Sequence, residues 1–175
     1  MSQQIDDMRV AVTPDSIRHV MGHFATGVTA ITAMFEGEPV GFACQSFSSL
    51  SLDPPMVSFS VSLKSSSWPK VTEAASFCIN VLSEEQADVS NALGRSGPDK
   101  FAAVSWRPSA YGAPLIDGVA AFIDARVWAE YDGGDHVIVA ATILDLGADD
   151  SRTPLMYHRG SYGLYIPTEP GSVEQ

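Results

Sequence analysis

From Val28 onward the chain is written in short, apolar, β-branched runs punctuated by turn residues, with no strand–helix–strand rhythm. Val28–Phe35 runs into the turn Glu36-Gly37-Glu38-Pro39, and Val40–Ser46 and Met56–Leu63 are parted by Asp53-Pro54-Pro55. Phe77–Leu82 reads as a buried strand. Ala120–Tyr131 and His136–Leu146 flank Asp132-Gly133-Gly134-Asp135, a hairpin turn, and a last strand covers Ser161–Ile166. Helices are few. Thr13-Pro14-Asp15 is a capped helix start, predicting a helix to about Phe24 with Ile17, Val20, Met21 and Phe24 on one face and Gly27 as its breaker. Ser67-Trp68-Pro69 opens a short helix through about Ala75, and Ser83 with Gln86 forms a capping box for a helix to about Leu93. Six or more strands with so few helices predict a mainly β fold with flanking helices, an antiparallel barrel rather than a doubly wound sheet. No GxGxxG follows a strand, so a nicotinamide cofactor would bind outside a Rossmann frame.

The 175 residues suit one domain, placed at 11–166, with 1–10 and 167–175 expected as flexible termini. No apolar run approaches the roughly 20 residues of a membrane span, and the start of the chain lacks the basic and apolar regions of a secretory signal. A net charge of −11 argues against nucleic acid and anionic membranes as partners. It also means that any phosphorylated ligand must be met by a local concentration of the ten basic residues, of which Lys64, Lys70, Arg95 and Lys100 follow the first strands. Cys44 and Cys78, far apart and each inside an apolar run, read as buried reduced thiols, which points to the cytoplasm.

Two serine clusters stand out. Gln45-Ser46-Phe47-Ser48-Ser49-Leu50-Ser51 reads as a strand emptying into a loop rich in hydroxyl and amide donors. Such donors suit a planar heterocycle or a phosphate, and equally a barrel loop with no ligand. Lys64-Ser65-Ser66-Ser67-Trp68, at a helix start, suits an anion or a solvated cap. His136, after Gly134-Asp135, is by itself more typical of a structural histidine. No metal site is expected: the four histidines are scattered, and His19 and His23 lack further ligands. Neither GxSxG nor HExxH is present, which counts against hydrolysis.

Taken in order, Phe24–Thr29, Pro39–Pro55, Phe77–Leu82, Asp99-Lys100-Phe101, Trp106-Arg107-Pro108, Gly134-Asp135-His136 and Pro154–Gly160 resemble the flavin reductase-like, FMN-binding split-barrel family. Within it they are most similar to the small reductase components of two-component flavin-dependent monooxygenases. Ala43-Cys44-Gln45 departs from the Thr-Ala-Asn of some members and resembles the variant of FAD-using reductases.

The resemblance implies a six-stranded antiparallel Greek-key split barrel, a homodimer, and flavin near the subunit interface. It places the flavin ring against Pro39, Val40, Gly41, Phe42 and Ala43, with Gln45 and Ser46. Ribityl and phosphate extend to Ser60, Val61, Ser62, Ser66 and Ser67, with Ala92 and Leu93 nearby. NADH stacks on the open ring face beside His136, Leu155, Met156, Tyr157 and His158. The implied activity is hydride transfer from NADH to FAD or FMN, supplying a separate monooxygenase, with no protein catalytic acid or base. NADH is preferred over NADPH because no arginine cluster awaits a 2′-phosphate. A non-enzymatic flavin carrier and a pyridoxamine-phosphate-oxidase-like enzyme share the barrel as alternatives; the scarcity of Arg and Lys counts against the second.

Overall fold

The computed structural model describes residues 8–97 and 99–166; most of both expected flexible termini, 1–7 and 167–175, lies outside the described residues. The dominant feature is one antiparallel sheet of seven strands: β2 (Thr29–Phe35), β3 (Glu38–Cys44), β4 (Ser48–Leu52), β5 (Pro55–Ser62), β6 (Phe77–Val81), β9 (Ala121–Asp132) and β10 (His136–Ala148). Their order is β3-β2-β6-β9-β10-β5-β4. The two edge strands, β3 and β4, are consecutive in the chain and joined only by residues 45–47. Four Cα steps reach about 15 Å at most. The sheet therefore curls until its edges approach, and the result is a split barrel rather than an open layer. Helix α2 (Trp68–Glu73) carries the chain over one end from β5 to β6, the out-of-order connection of a Greek key.

Period-two patterning sets the interior. In β5, Val57, Phe59 and Val61 are buried and alternate with Ser58, Ser60 and Ser62 on the outer face. Phe59, Trp68 and Phe77 meet edge to face at centroid distances of 5.6–6.3 Å, with Trp68 plugging the end of the barrel. Burial of each such ring contributes about 2–3 kcal/mol. β2 is buried on both faces, because a second cluster (Val28, Leu82, Leu93, Leu155) packs behind it under α3 (Ala87–Gly94). The β2–β3 hairpin turns through Glu36 and Gly37, both at positive φ, the conformation that two-residue hairpin loops require.

The structure departs from the sequence expectations in identifiable places. The main sheet has seven strands rather than six, since the serine-rich run after Ser46 is itself strand β4, paired with β5. Helix α1 (Pro14–Met21) ends before Phe24 and buries no residue, so among the described residues its apolar face joins no core. Thr26–Gly27, read only as a break, forms β1 and pairs with β11 (Leu155–His158), which continues into β12 (Ser161–Leu164). The Ser83–Gln86 box closes by one half only. The Gln86 Oε1 accepts from the Ser83 amide at 2.9 Å, and α3 starts at Ala87. The hairpin β7 (Trp106–Pro108) and β8 (Pro114–Ile116) is pinned to the sheet by buried Asn80, which accepts from the Ile116 amide at 2.8 Å.

Candidate functional site

The predicted cradle residues come together, but as two cavities rather than one. Both are built on β3 and the loop after β5. The first, about 550 Å³, is lined by Pro39, Val40, Gly41, Ser66 and Ser67, together with Lys70, Lys100 and Phe101. The second, about 440 Å³, is lined by Phe42, Ala43, Gln45, Ser46, Ser60, Val61, Ser62 and Ser65, with Ser90 and His136. Each lies in the size range of small-molecule sites.

The first cavity is charged, with Lys70 and Lys100 set against Glu38 and Asp99 in its wall. The Lys100 ammonium donates to the Gly41 carbonyl at 3.2 Å, the Leu93 carbonyl at 3.3 Å and Ser67 Oγ at 3.3 Å. Burial lowers its pKa from the ordinary lysine value, because low-dielectric surroundings disfavour the charge. Lys70 stands over the Phe35 ring at 5.7 Å and adds a second positive charge. β3 can approach β2 closely here because position 41 is glycine: a Cβ would lie 2.5 Å from the Ile31 carbonyl oxygen.

The second cavity is neutral and rich in hydroxyls, and its wall is the seam of the barrel. Ser46 Oγ accepts from the Ser60 amide at 2.8 Å and donates to the Ser60 carbonyl at 3.0 Å. Ser48 pairs with Ser58 in the ladder, so Ser46 faces Ser60 at the next hydrogen-bonded position, and its side chain replaces a backbone rung. Cys44 Sγ sits 3.3 Å from Ser46 Oγ. Burial raises its thiol pKa, against the opposing pull of the Ser46 and Phe47 donors. The hydroxyl of Ser46 therefore belongs to the scaffold. On the rim, His136 pairs with Ser62 in the β10–β5 ladder and holds Asp135 at 2.6 Å through Nδ1. That hydrogen bond keeps the Asp135 carboxyl below its ordinary pKa.

Other predicted residues fall elsewhere. Leu93 and Leu155 are fully buried in the cluster behind β2, so their side chains support the site from beneath rather than line it; Ala92 is buried there too. Leu155–His158 is a strand: Met156 and Tyr157 pair with Gly27 and Thr26, and His158 is exposed. This hairpin reaches the second cavity through Tyr162, whose hydroxyl donates to Asn91 Oδ1 at 2.8 Å and lies 3.0 Å from Ser90 Oγ. Sequence reasoning singled out Lys70 and Lys100 as cations for a phosphorylated ligand and Ser65 within the anion-suited cluster without assigning them to the flavin contacts, and it missed Ser90. The signal for Lys100 was present, as one of few cations in an acidic chain and part of Asp99-Lys100-Phe101. Both cysteines are free and buried. Among the described residues no cluster of His, Cys, Asp and Glu could hold a metal, and no helix is long and apolar enough to cross a membrane.

These groups fit a phosphorylated flavin. One cavity offers serine hydroxyls and two ammoniums for phosphate, with Glu38 and Asp99 also in its wall; the other offers neutral donors and a half-exposed imidazole for uncharged rings. Comparison with known proteins points the same way. Residues 21–164 match the flavin reductase like domain. The reductase subunit HsaB of a flavin-dependent monooxygenase from Mycobacterium tuberculosis is 45% identical over 164 residues, 93% of this chain and 84% of that protein. The crystal structure of nitrilotriacetate monooxygenase component B from Mycobacterium thermoresistibile superposes with a TM-score of 0.86 at 44% identity, covering 99% of this chain and 93% of that one. The Streptomyces globisporus NADH:FAD oxidoreductase SgcE6, in complex with NAD and FAD fragments, gives 0.85 at 29% identity over 92% of this chain and 99% of that one.

Proposed function

This chain belongs to the flavin reductase like family, and from that premise we infer that it transfers a hydride from NADH to a diffusible flavin and supplies a separate flavin-dependent monooxygenase. The observation that carries this reading is near full-length similarity to reductase components, together with paired cavities of suitable chemistry along β3. Flavin and NADH supply the redox chemistry themselves, one ring passing hydride to the other. The work left to the protein is to bind, to orient and to exclude water.

In the reading we favour, Phe42–Ala43, Gln45 and the Ser60–Ser62 edge bound the ring. Ser66 and Ser67 hold the phosphate, and His136 borders the nicotinamide. Asp135 supports the last role, since its carboxylate fixes the imidazole by a 2.6 Å contact. Leu155–His158 contributes through the β11–β12 hairpin that Tyr162 ties to α3. FAD is favoured over FMN by the likeness to the NADH:FAD oxidoreductase, and NADH over NADPH by the acidity of the chain. The reductase domain is taken as 11–166, and two free buried thiols accord with a cytoplasmic setting.

A homodimer completes the proposal. Ile17, Val20, Met21 and Phe24 are 46–75% exposed along one stretch, and Trp128 and Tyr131 are over half exposed on the outer sheet. Apolar surface of this kind marks an interaction face, and the serine-bearing outer face of β5 adjoins β10. NADH oxidation followed at 340 nm with excess FAD, FMN or riboflavin tests the activity, and multiple turnovers are expected. Tight flavin binding without NADH oxidation would instead identify a flavin carrier. Sedimentation should give twice the 18.6 kDa chain mass.

A further inference from the structure

Asp124 sits where an acid has least reason to be. It lies on β9, opposite Cys78 on β6 and Asp145 on β10, and its side chain is fully buried. Neither carboxyl oxygen has a hydrogen-bond partner among the described residues. Burial without a partner disfavours the charged form of such a group far more than the neutral one. Burial accordingly raises the Asp124 pKa above the usual carboxylate range; the Ser109 hydroxyl and the Cys78 thiol oppose this in part, and the Asp145 charge adds to it. Burial, then Asp124 itself, raises the Cys78 thiol too, so the carboxyl is the member of this pair that titrates first. The other titratable groups around it are Tyr111 in the hairpin above and Arg126 two residues along β9, which is exposed. Among the described residues no ion pair joins Arg126 to Asp124.

The tip of the β7–β8 hairpin, residues 109–113, brings Ser109 and Tyr111 against this carboxyl. Ser76 Oγ donates to the Tyr111 carbonyl at 3.0 Å. The Tyr111 hydroxyl donates to the carbonyl of Leu144 at 3.4 Å, and Leu144 is the bulged residue that leaves Asp145 facing Asp124. The turn closes on itself through the Ser109 amide to the Ala113 carbonyl at 2.8 Å and the Gly112 amide to the Ser109 carbonyl at 3.0 Å. The base of the hairpin is held separately, by Asn80 on Ile116 and by the Thr32 hydroxyl on the Pro114 carbonyl. From that base β7 carries Trp106 into the wall of the first cavity. A neutral acid lets the tip rest on the sheet. An ionised one draws water, which lifting the tip admits.

We propose that Asp124 is a proton-operated latch on the β7–β8 hairpin: the tip stays closed while the carboxyl is protonated and lifts when it ionises, loosening the Trp106 wall of the first cavity. The latch does not depend on what that cavity holds; its effect on flavin rests on the flavin reductase reading above. The closed form keeps a proton that the open form gives up. Closure therefore weakens as pH rises from the ordinary carboxylate range, about 4, through the raised value of Asp124, and is constant above it.

Amide hydrogen exchange across that pH window, corrected for the intrinsic rate at each pH, tests the latch in wild type and in Asp124→Asn. In wild type, protection of the Ser109 and Gly112 amides is expected to fall about tenfold or more, the scale of an unpaired buried charge. The amides of Phe77–Val81 in the centre of the sheet should keep theirs. Asp124→Asn has no proton to lose, so its tip should stay protected throughout. It should also melt about 2–8 °C above wild type on the alkaline side, where wild type carries the charge. FAD affinity, read by fluorescence quenching, should fall with pH more steeply in wild type than in the variant. Tip protection that ignores pH overturns the latch, as does a fall shared equally by Asp124→Asn or by Phe77–Val81. If the variant does not fold, the wild-type comparison of the tip with β6 still decides. Equal pH courses of FAD affinity in the two proteins overturn the link from tip to cavity. A chain that binds no FAD at any pH removes the flavin reading instead, while exchange at the tip still tests the latch.

Discussion

The two serine clusters, alike in composition, have opposite fates. In the first cluster two hydroxyls are turned onto the protein: Ser46 completes a rung with Ser60, and Ser48 meets Ser58 at 3.0 Å. In Ser65–Ser67 the arrangement is looser. Ser65 Oγ accepts from the Trp68 amide at 3.2 Å, and Ser67 is held by a lysine on a cavity wall. The difference lies in what surrounds each hydroxyl. Beside the barrel seam, backbone groups of β5 lack a strand partner and capture the nearest side chain. Beside the loop, the neighbouring group is a cation that occupies the acceptor side of the hydroxyl and leaves its proton to donate. A hydroxyl's role is thus set by whether its partner leaves a donor over.

Ser46→Ala should produce the largest change in stability of any serine in either cluster. It removes two hydrogen bonds and leaves the Ser60 amide and carbonyl to water at the seam, at a cost of about 1–3 kcal/mol. For a chain of this size that lowers Tm by about 2–4 °C per kcal/mol, as thermal melts followed by circular dichroism would read. An unchanged Tm would mean that the seam closes without the side chain, and the contrast between clusters would collapse.

Ser66→Ala combined with Ser67→Ala should behave in the opposite sense. Flavin affinity is expected to fall about tenfold, with Tm nearly preserved and turnover at saturating flavin little changed. Titration by fluorescence quenching measures the first, and single-turnover kinetics the last. Affinity at the wild-type level would return Ser66 and Ser67 to the scaffold. His136→Ala probes the neutral cavity, whose serines the fold has already engaged. Losing one oriented contact of about 1 kcal/mol should raise KM for NADH about fivefold. Unaltered NADH kinetics would move the nicotinamide away from His136.

The barrel was legible because period-two alternation is a local property: Val57, Phe59 and Val61 declare an inner face without knowledge of the partner strand. What was not legible depends on distant pairings. The Ser48–Leu52 run has serine and leucine in a pattern typical of a loop, yet β5 recruits it as an edge. Leu155–His158 is a strand paired along its length with Ser161–Leu164, and Thr26–Gly27 joins it from far back in the chain. The helix at Thr13–Met21 was correctly capped in sequence, but its burial was not predictable, since the apolar face of an amphipathic helix does not say whether its partner lies in the same chain. At the site, the residue types were visible and their grouping was not. Gly41 and Phe42 are neighbours in sequence, yet Pro39–Gly41 line one cavity and Phe42–Ser46 the other, a division along the strand that no local pattern marks. Lys100 enters from a loop 59 residues beyond Gly41, a contact that no local pattern encodes.

Ser48→Ala is the smallest effect expected, and for that reason it sharpens the contrast most finely. The Ser48–Ser58 hydroxyl pair lies on the outer face near the free edge, where water replaces either partner at once. Loss of the pair should cost less than about 0.5 kcal/mol and leave flavin and NADH kinetics unchanged. Equilibrium denaturation in urea, run at several protein concentrations, makes the result informative in both directions. A small, concentration-independent change places the pair on a solvated surface and confines the scaffold role to Ser46. A larger loss that grows as protein is diluted would place Ser48 beneath a second subunit. The serine face of β5 would then be covered in the assembled enzyme, and the difference between the clusters would arise at the interface rather than within the barrel.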